Sequence, residues 1–281
     1  MRPESEILSL LVSTAENDPR IRAAYLEGSR VDPGAKKDLL RDYDVEFIVR
    51  ETASFRSDRE WIKRFGDILF MQYPEDGPEG DPERCYGWLM VFTDGNRIDL
   101  HVCTAEVGMP GRDGFIALCD KDGILPGKGR LPDHSVQPPD EEQYRSVCNE
   151  FWWCLGNVAK GIRRGETPYV LEMLGQCVRP ALLRMLEWYV QFHCGSVNTG
   201  KFGKHIARYL PEDLYNRYLS TYCFSDGASL LSSVDVMTDL FSEVSDDVAA
   251  GFRFARNESE RAGSLSYYRR VVSLPDGEGI F

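Results

Sequence analysis

Three aspartates and a Gly-Ser pair are the residues of this chain whose types and spacing could do chemistry. Gly28-Ser29-Arg30 ends the apolar run IRAAYLEGS, and twelve residues on stands Asp42-Tyr43-Asp44-Val45, opening the run VEFIV. Asp99 lies in NRIDLHV, a later run of the same texture. On an extended strand Asp42 and Asp44 share one face, because side chains two apart point the same way. Adjacent carboxylates repel, and a divalent cation relieves the repulsion. Asp99, projecting from a neighbouring strand, would complete a hard-oxygen site suited to Mg²⁺, which keeps waters and takes further ligands from phosphates. Gly28 lets backbone approach a phosphate closely, and the Ser29 hydroxyl donates to phosphate oxygens. A short helix expected from about Ala35 would aim its positive end at the same place. Gly-Ser alone, or Asp-x-Asp alone, carries little. Together with the third aspartate they describe a triphosphate-and-metal site.

The elements that must position these residues differ between the two parts of the chain. Before the Pro- and Gly-rich stretch at 126–140 come short β-rich runs: IRAAYLEGS, YDVEFIVR, DILFMQYP, CYGWLMVFTD and NRIDLHVCT. The last two are joined by Asp94-Gly95, a strong hairpin signal. An opening helix is expected from about Ser5 to Glu16 and another at roughly 54–65. After the stretch come long segments of helical period, such as EEQYRSVCNEFWWCLGNVAKGIRR and PYVLEMLGQCVRPALLRMLEWYVQFH, with a kink expected at Pro180. The expectation is an α+β chain with a mixed-sheet domain over 1–135 and an all-α domain over 136–281.

Composition narrows the partners. With 45 acidic and 33 basic residues among 281, the formal net charge is −12. Nucleic-acid binders present a basic field to phosphates, so no nucleic-acid partner is expected. A cationic small molecule suits this balance better. The Ile7–Val12 run is too short for a signal peptide, and no apolar stretch is long enough to span a bilayer; a cytoplasmic protein without a membrane partner is expected. None of the eight cysteines is spaced as CxxC and the four histidines are scattered, so reduced buried thiols are expected rather than a zinc site. The loop Pro74–Glu83, five acids among Pro and Gly, reads as solvated and mobile, or else as an acidic lip that attracts a cation. Oligomeric state is not legible.

The pattern hydrophobic-x-Gly-Ser, then Asp-x-Asp, then a third aspartate on a later strand resembles the polymerase-β-like nucleotidyltransferase superfamily. The blocks LEGSRVDPGAKKDLLRDYDVEFIV, DGNRIDLHV, CNEFWWCLGNVAKGIRRGE, MLGQCVRPALLRMLEWYV and TGKFGKHIARYLPEDLYNRYLSTY are similar to those of the bacterial aminoglycoside 6-adenylyltransferases, over roughly residues 5–275. The resemblance implies Mg²⁺-dependent transfer of AMP from ATP to the 6-hydroxyl of streptomycin, with release of pyrophosphate. It implies two metal ions on Asp42 and Asp44, with Asp99 either the general base or a ligand that orients the metal. Gly28, Ser29 and Arg30 would then hold phosphates, and Lys201 or Lys204, neighbours if helical, would meet the triphosphate. A cationic acceptor wants carboxylates and aromatic faces, which makes Glu150, Trp153, Glu46 and Glu27 its candidate contacts. Trp152 and Trp153 point about 100° apart on a helix, so one of them is left free to meet a ligand. Two other readings stay open: a nucleotidyltransferase acting on another hydroxyl, and a nucleotide-sensing relative without chemistry.

Overall fold

The computed structural model describes residues 1–109, 114–126, 135–222 and 225–274. The chain divides into two compact units, Met1–Asp133 and His134–Phe281.

The first unit is built on a six-stranded mixed sheet. Its strands are β1 (Ile21–Glu27), β2 (Tyr43–Val49), β3 (Ile68–Gln72), β4 (Cys85–Phe92), β5 (Arg97–Thr104) and β6 (Ile116–Asp120), in the order β3-β4-β5-β2-β1-β6. Only β2 and β5 run parallel; the other pairings are antiparallel. Strict alternation decides the faces. Tyr43, Val45, Phe47 and Val49 of β2, with Ile98, Leu100 and Val102 of β5, turn to a buried core. Helix α1 (Glu4–Asn17) covers that core with Ile7, Leu11 and Ala15. The intervening residues Asp44, Glu46, Asp99 and His101 therefore face the other side, where Ala23, Tyr25 and Ile48 pack under Phe115, Ile124 and Leu125.

Several elements depart from the sequence expectations. The helix expected at 54–65 is broken into α2 (Ala53–Ser57) and a 3₁₀ turn (Trp61–Phe65), with Asp58 between them in a non-helical conformation. Trp61 drives the break. Its ring packs edge-on against Phe47, Phe55 and Phe65, and its indole N–H donates to Asp18 at 3.0 Å. The helix expected from Ala35 is absent: Asp32 and Asp38 accept from the backbone N–H groups of Gly34 and Leu40, the local bonding that competes with helix. The β4–β5 hairpin forms as expected, with Gly95 at φ 85°. Strand β6, which the sequence reading missed, pairs with β1.

The second unit is helical: α3 (Glu141–Arg164), α4 (Thr167–Met173), α5 (Arg179–Cys194), α6 (Glu212–Leu219), α7 (Gly227–Phe252) and α8 (Glu258–Val272). A reciprocal cap between Asp140 and Gln143 starts α3, and left-handed Gly165 ends it. Leu174, Val178, Leu182, Met185 and Leu186 are fully buried, the stripe expected of a core helix. Pro180 has no N–H for the Gln176 carbonyl, and the chain accommodates it with a π-helical turn, Leu174–Val178, between α4 and α5. Among the described residues no helix is long and apolar enough to cross a membrane.

Candidate active site

The register brings the carboxylates into rows. Glu27 of β1 pairs with Asp44, and Asp44 pairs with Asp99 of β5; one step on, Tyr25, Glu46 and His101 form the next row. Asp42 precedes β2 on the same face. One carboxylate oxygen from each of Asp42, Asp44 and Asp99 lies within 4.8 Å of the others. Arg97, two residues before Asp99 and so on its face, partly neutralises the cluster. Its Nε lies 2.7 Å from Asp99 Oδ1 and 3.7 Å from Asp42 Oδ2. Even so, burial first, and then Asp42, Asp99 and Glu27, push the Asp44 carboxyl up to about 7. Glu46 is pushed up to about 8 by burial, then by Glu27 and Glu75. Compensating positive charge is short on this face, and the donor set of three carboxylates fits a hard divalent cation.

Gly28 and Ser29 sit against that cluster. Gly28 has φ +70°, and a methyl there would come within 2.7 Å of the Asp44 carboxyl carbon, so both conformation and space require glycine. The Ser29 hydroxyl is buried and has no hydrogen-bond partner. A buried orphan hydroxyl beside a carboxylate cluster fits a phosphate oxygen arriving with its metal. Arg30 is committed differently. Its guanidinium donates to the carbonyls of Arg41 and Asp42, both at 2.8 Å, and lies 3.4 Å from the centre of the Tyr43 ring. It fixes the backbone that presents Asp42.

The loop Pro74–Glu83, expected to be solvated, is tied to this face. Glu75 accepts from the Gly87 N–H at 2.6 Å and lies 3.8 Å from His101 Nε2, while Asp76 accepts at 3.0 Å from the hydroxyl of Tyr86, whose ring belongs to the core face. Gly87 makes room: a methyl there would meet the His101 ring at 2.5 Å. The next row holds a second departure. Cys85 and Cys103, expected as reduced thiols, face each other across β4 and β5 and are joined as a disulfide. Cys119, Cys148, Cys154, Cys177 and Cys194 are free, and Cys223 lies outside the described residues.

The remaining candidates lie in the helical unit. Trp152 is buried and Trp153 is 73% exposed, the split expected of neighbouring helix positions. Trp153 lines a groove with Asn149, Lys160, Glu260 and Tyr267. Glu150, one turn before, accepts the Cys154 thiol at 3.2 Å. Lys201 and Lys204 are not on a helical face. Lys201–Gly203 is a 3₁₀ turn in which Phe202 has φ 56°, set between left-handed Gly200 and Gly203. Glu187 accepts from Thr199 Oγ1 at 3.0 Å and pairs with Arg184 at 3.1 Å, a structural role.

Sequence reasoning missed Arg97 and Glu75. Arg97 was findable from its parity with Asp99. Glu75 was not, because its place depends on how an irregular loop folds back.

Residues 1–271 match the family model of the streptomycin adenylyltransferases. An aminoglycoside 6-adenylyltransferase of Campylobacter jejuni is 34% identical over 262 residues, covering 89% of each chain. One from Bacillus subtilis is 32% identical over 263 residues, covering 90% of this chain and 93% of its own. A crystal structure of an aminoglycoside 6-adenyltransferase from Bacillus subtilis superposes with a TM-score of 0.49 at 28% identity, covering 98% of this chain and all of that one. The chain belongs to the streptomycin adenylyltransferase family, a family of nucleotidyltransferases.

Proposed function

We propose that this protein transfers AMP from ATP to a hydroxyl of an aminoglycoside of the streptomycin type, releasing pyrophosphate, with Mg²⁺ held by Asp42, Asp44 and Asp99. The observation that carries the reading is the conjunction at one strand end: three mutually close carboxylates, a left-handed glycine that admits no side chain, and the buried, partnerless Ser29 hydroxyl. Membership of the family supports the reaction type.

Each residue then has a task. The Ser29 hydroxyl donates a hydrogen bond to a phosphate oxygen, and Gly28 leaves the space that oxygen needs. Arg30 holds the Asp42 carbonyl, so the carboxylate arrives at a fixed place. Asp42 and Asp44 hold the metal, as two ions in our reading. Mg²⁺ bound there supplies the positive charge that offsets the triphosphate and the developing charge of the reaction. The acceptor oxygen attacks the α-phosphorus, the bond to the β-phosphate oxygen breaks, and pyrophosphate leaves. Asp99 stands nearest the acceptor hydroxyl; it either takes the hydroxyl proton or orients the metal that would acidify the hydroxyl. Glu46, with Glu27 of the neighbouring row and Glu75 of the loop acting on it, forms a carboxylate group that suits the guanidinium groups of the acceptor.

The helical unit offers Trp153 as an aromatic face for a cation and Lys201 or Lys204 for an anionic group. Glu150 is engaged with Cys154, so the acceptor reading leans on Trp153 and Glu46. The test is pyrophosphate release from Mg-ATP with a panel of aminoglycosides, streptomycin included, against a blank without acceptor. Release with streptomycin supports the reading. ATP binding without release for any aminoglycoside would move the function to another acceptor or to nucleotide sensing.

A further inference from the structure

A second cluster lies in the helical unit, apart from every residue given a task above except the displaced Glu150. One oxygen of Glu150 and the sulfurs of Cys154 and Cys177 lie within 4.8 Å of one another. Two ligands are one turn apart on α3, and the third comes from the π-helical turn Leu174–Val178. Such widened turns recur at functional sites. The Cys154 sulfur is almost fully buried and donates to Glu150 at 3.2 Å, while Cys177 is half-buried and Glu150 reaches solvent. No CxxC spacing announces the group, because the two cysteines are 23 positions apart and meet only through the packing of α3 on the turn.

We infer that Glu150, Cys154 and Cys177 form a binding site for a thiophilic divalent cation, Zn²⁺ by its donor chemistry. Two thiolates and a carboxylate are ordinary zinc ligands, and three protein ligands leave a fourth, tetrahedral position to water on the exposed Glu150 side. A Zn–S bond of about 2.3 Å places tetrahedral donors roughly 3.5–3.8 Å apart. A cluster already within 4.8 Å closes onto an ion by small rotations about χ1. Binding replaces the two thiol protons: one Zn²⁺ enters, two S–H bonds break, two Zn–S bonds form and two protons leave to solvent. The other thiol-bearing cluster, Glu46 with Cys85 and Cys103, is closed to this chemistry because its sulfurs are bonded to each other. The bound ion would clip α3 to the turn that precedes α5.

The test uses the full chain, freed of metal by chelation and kept free of added reductant, titrated with Cd²⁺. Thiolate-to-cadmium charge-transfer absorption should saturate at one ion per chain, and one equivalent of Zn²⁺ should displace it. Cys154→Ser and Cys177→Ser should each weaken Cd²⁺ binding by more than about tenfold, the least that loss of an outer partner costs. The double variant Cys85→Ser with Cys103→Ser, which leaves neither strand with an unpaired sulfur, should leave it unchanged. Circular dichroism checks the fold of each variant, and the half-buried Cys177 position carries the test if Cys154→Ser does not fold. Absence of the absorption, or its persistence in both variants, overturns the inference. So does a Cys154–Cys177 disulfide found by mass spectrometry in the protein as purified. Absorption at a carboxylate-only site is impossible, so the Asp42, Asp44 and Asp99 cluster cannot mimic the result.

Discussion

Replacing Asp44 by asparagine should stabilise the metal-free protein, increasingly from about pH 4 to about pH 7 and fully above that. The folded structure keeps the Asp44 proton up to about pH 7, whereas a free aspartate releases it near 3.8. Between those values the folded chain binds the extra proton, so its stability falls as pH rises from about 4 to about 7 and levels off above. At about 1.4 kcal/mol per tenfold change in proton affinity, the full displacement corresponds to about 4 kcal/mol. The carboxyl is only partly buried and Arg97 sits nearby, so solvent and relaxation should reduce this to about 1–2 kcal/mol. In thermal denaturation that is a rise in Tm of about 2–8 °C for Asp44→Asn over wild type at pH 8.5 with chelator present. At pH 5.5 the unfolded wild-type chain has already released the Asp44 proton while the folded chain keeps it, so roughly half of the gap should be present, and the two proteins should melt together only near or below about pH 4. Mg²⁺ at pH 8.5 should stabilise the wild type and narrow the gap. A variant less stable than wild type at pH 8.5, or a difference that does not change between the two pH values, would refute the reasoning that uncompensated charge is stored at this position.

Gly28→Ala should be strained in the left-handed region and should drive a methyl into Asp44, costing about 1–2 kcal/mol or more in stability and most of the turnover; wild-type kcat would sink the close-approach argument. Ser29→Ala removes a hydroxyl with no partner in the structure, so its stability should be unchanged or higher while the KM for ATP rises several-fold; an unchanged KM would leave the orphan hydroxyl without a ligand. Trp153→Ala removes an exposed ring and should leave Tm within about 1 °C, raising the acceptor KM more than the ATP KM; equal effects would place Trp153 outside the acceptor contacts.

The alternation of apolar and acidic residues along YDVEFIV and RIDLHV was enough to put the aspartates on one sheet face, since parity is a property of the strand itself. The hairpin at Asp94-Gly95 and the buried stripe of α5 were legible for the same reason: their signals are local and periodic. What the sequence reading got wrong depends on contacts between distant residues. Trp61 breaks the helix expected at 54–65 because its partners Phe47 and Trp88 lie on strands. The loop at Pro74–Glu83 folds back because Gly87, on β4, leaves room for Glu75 and the His101 ring. Cys85 and Cys103 meet only through the register of β4 on β5, and Cys154 meets Cys177 only across two helical elements. Lys201 and Lys204 were paired on the assumption of a helix. The left-handed Gly200, Phe202 and Gly203 make that segment a tight turn instead.

The most direct test of the account is the mass of streptomycin after incubation with Mg-ATP and the wild-type chain, beside Asp42→Asn of verified fold. The account predicts a product heavier by one AMP from wild type and unmodified antibiotic from Asp42→Asn. Unmodified streptomycin from wild type would contradict the proposed acceptor, and equal product from both proteins would contradict the carboxylate cluster as the seat of the chemistry.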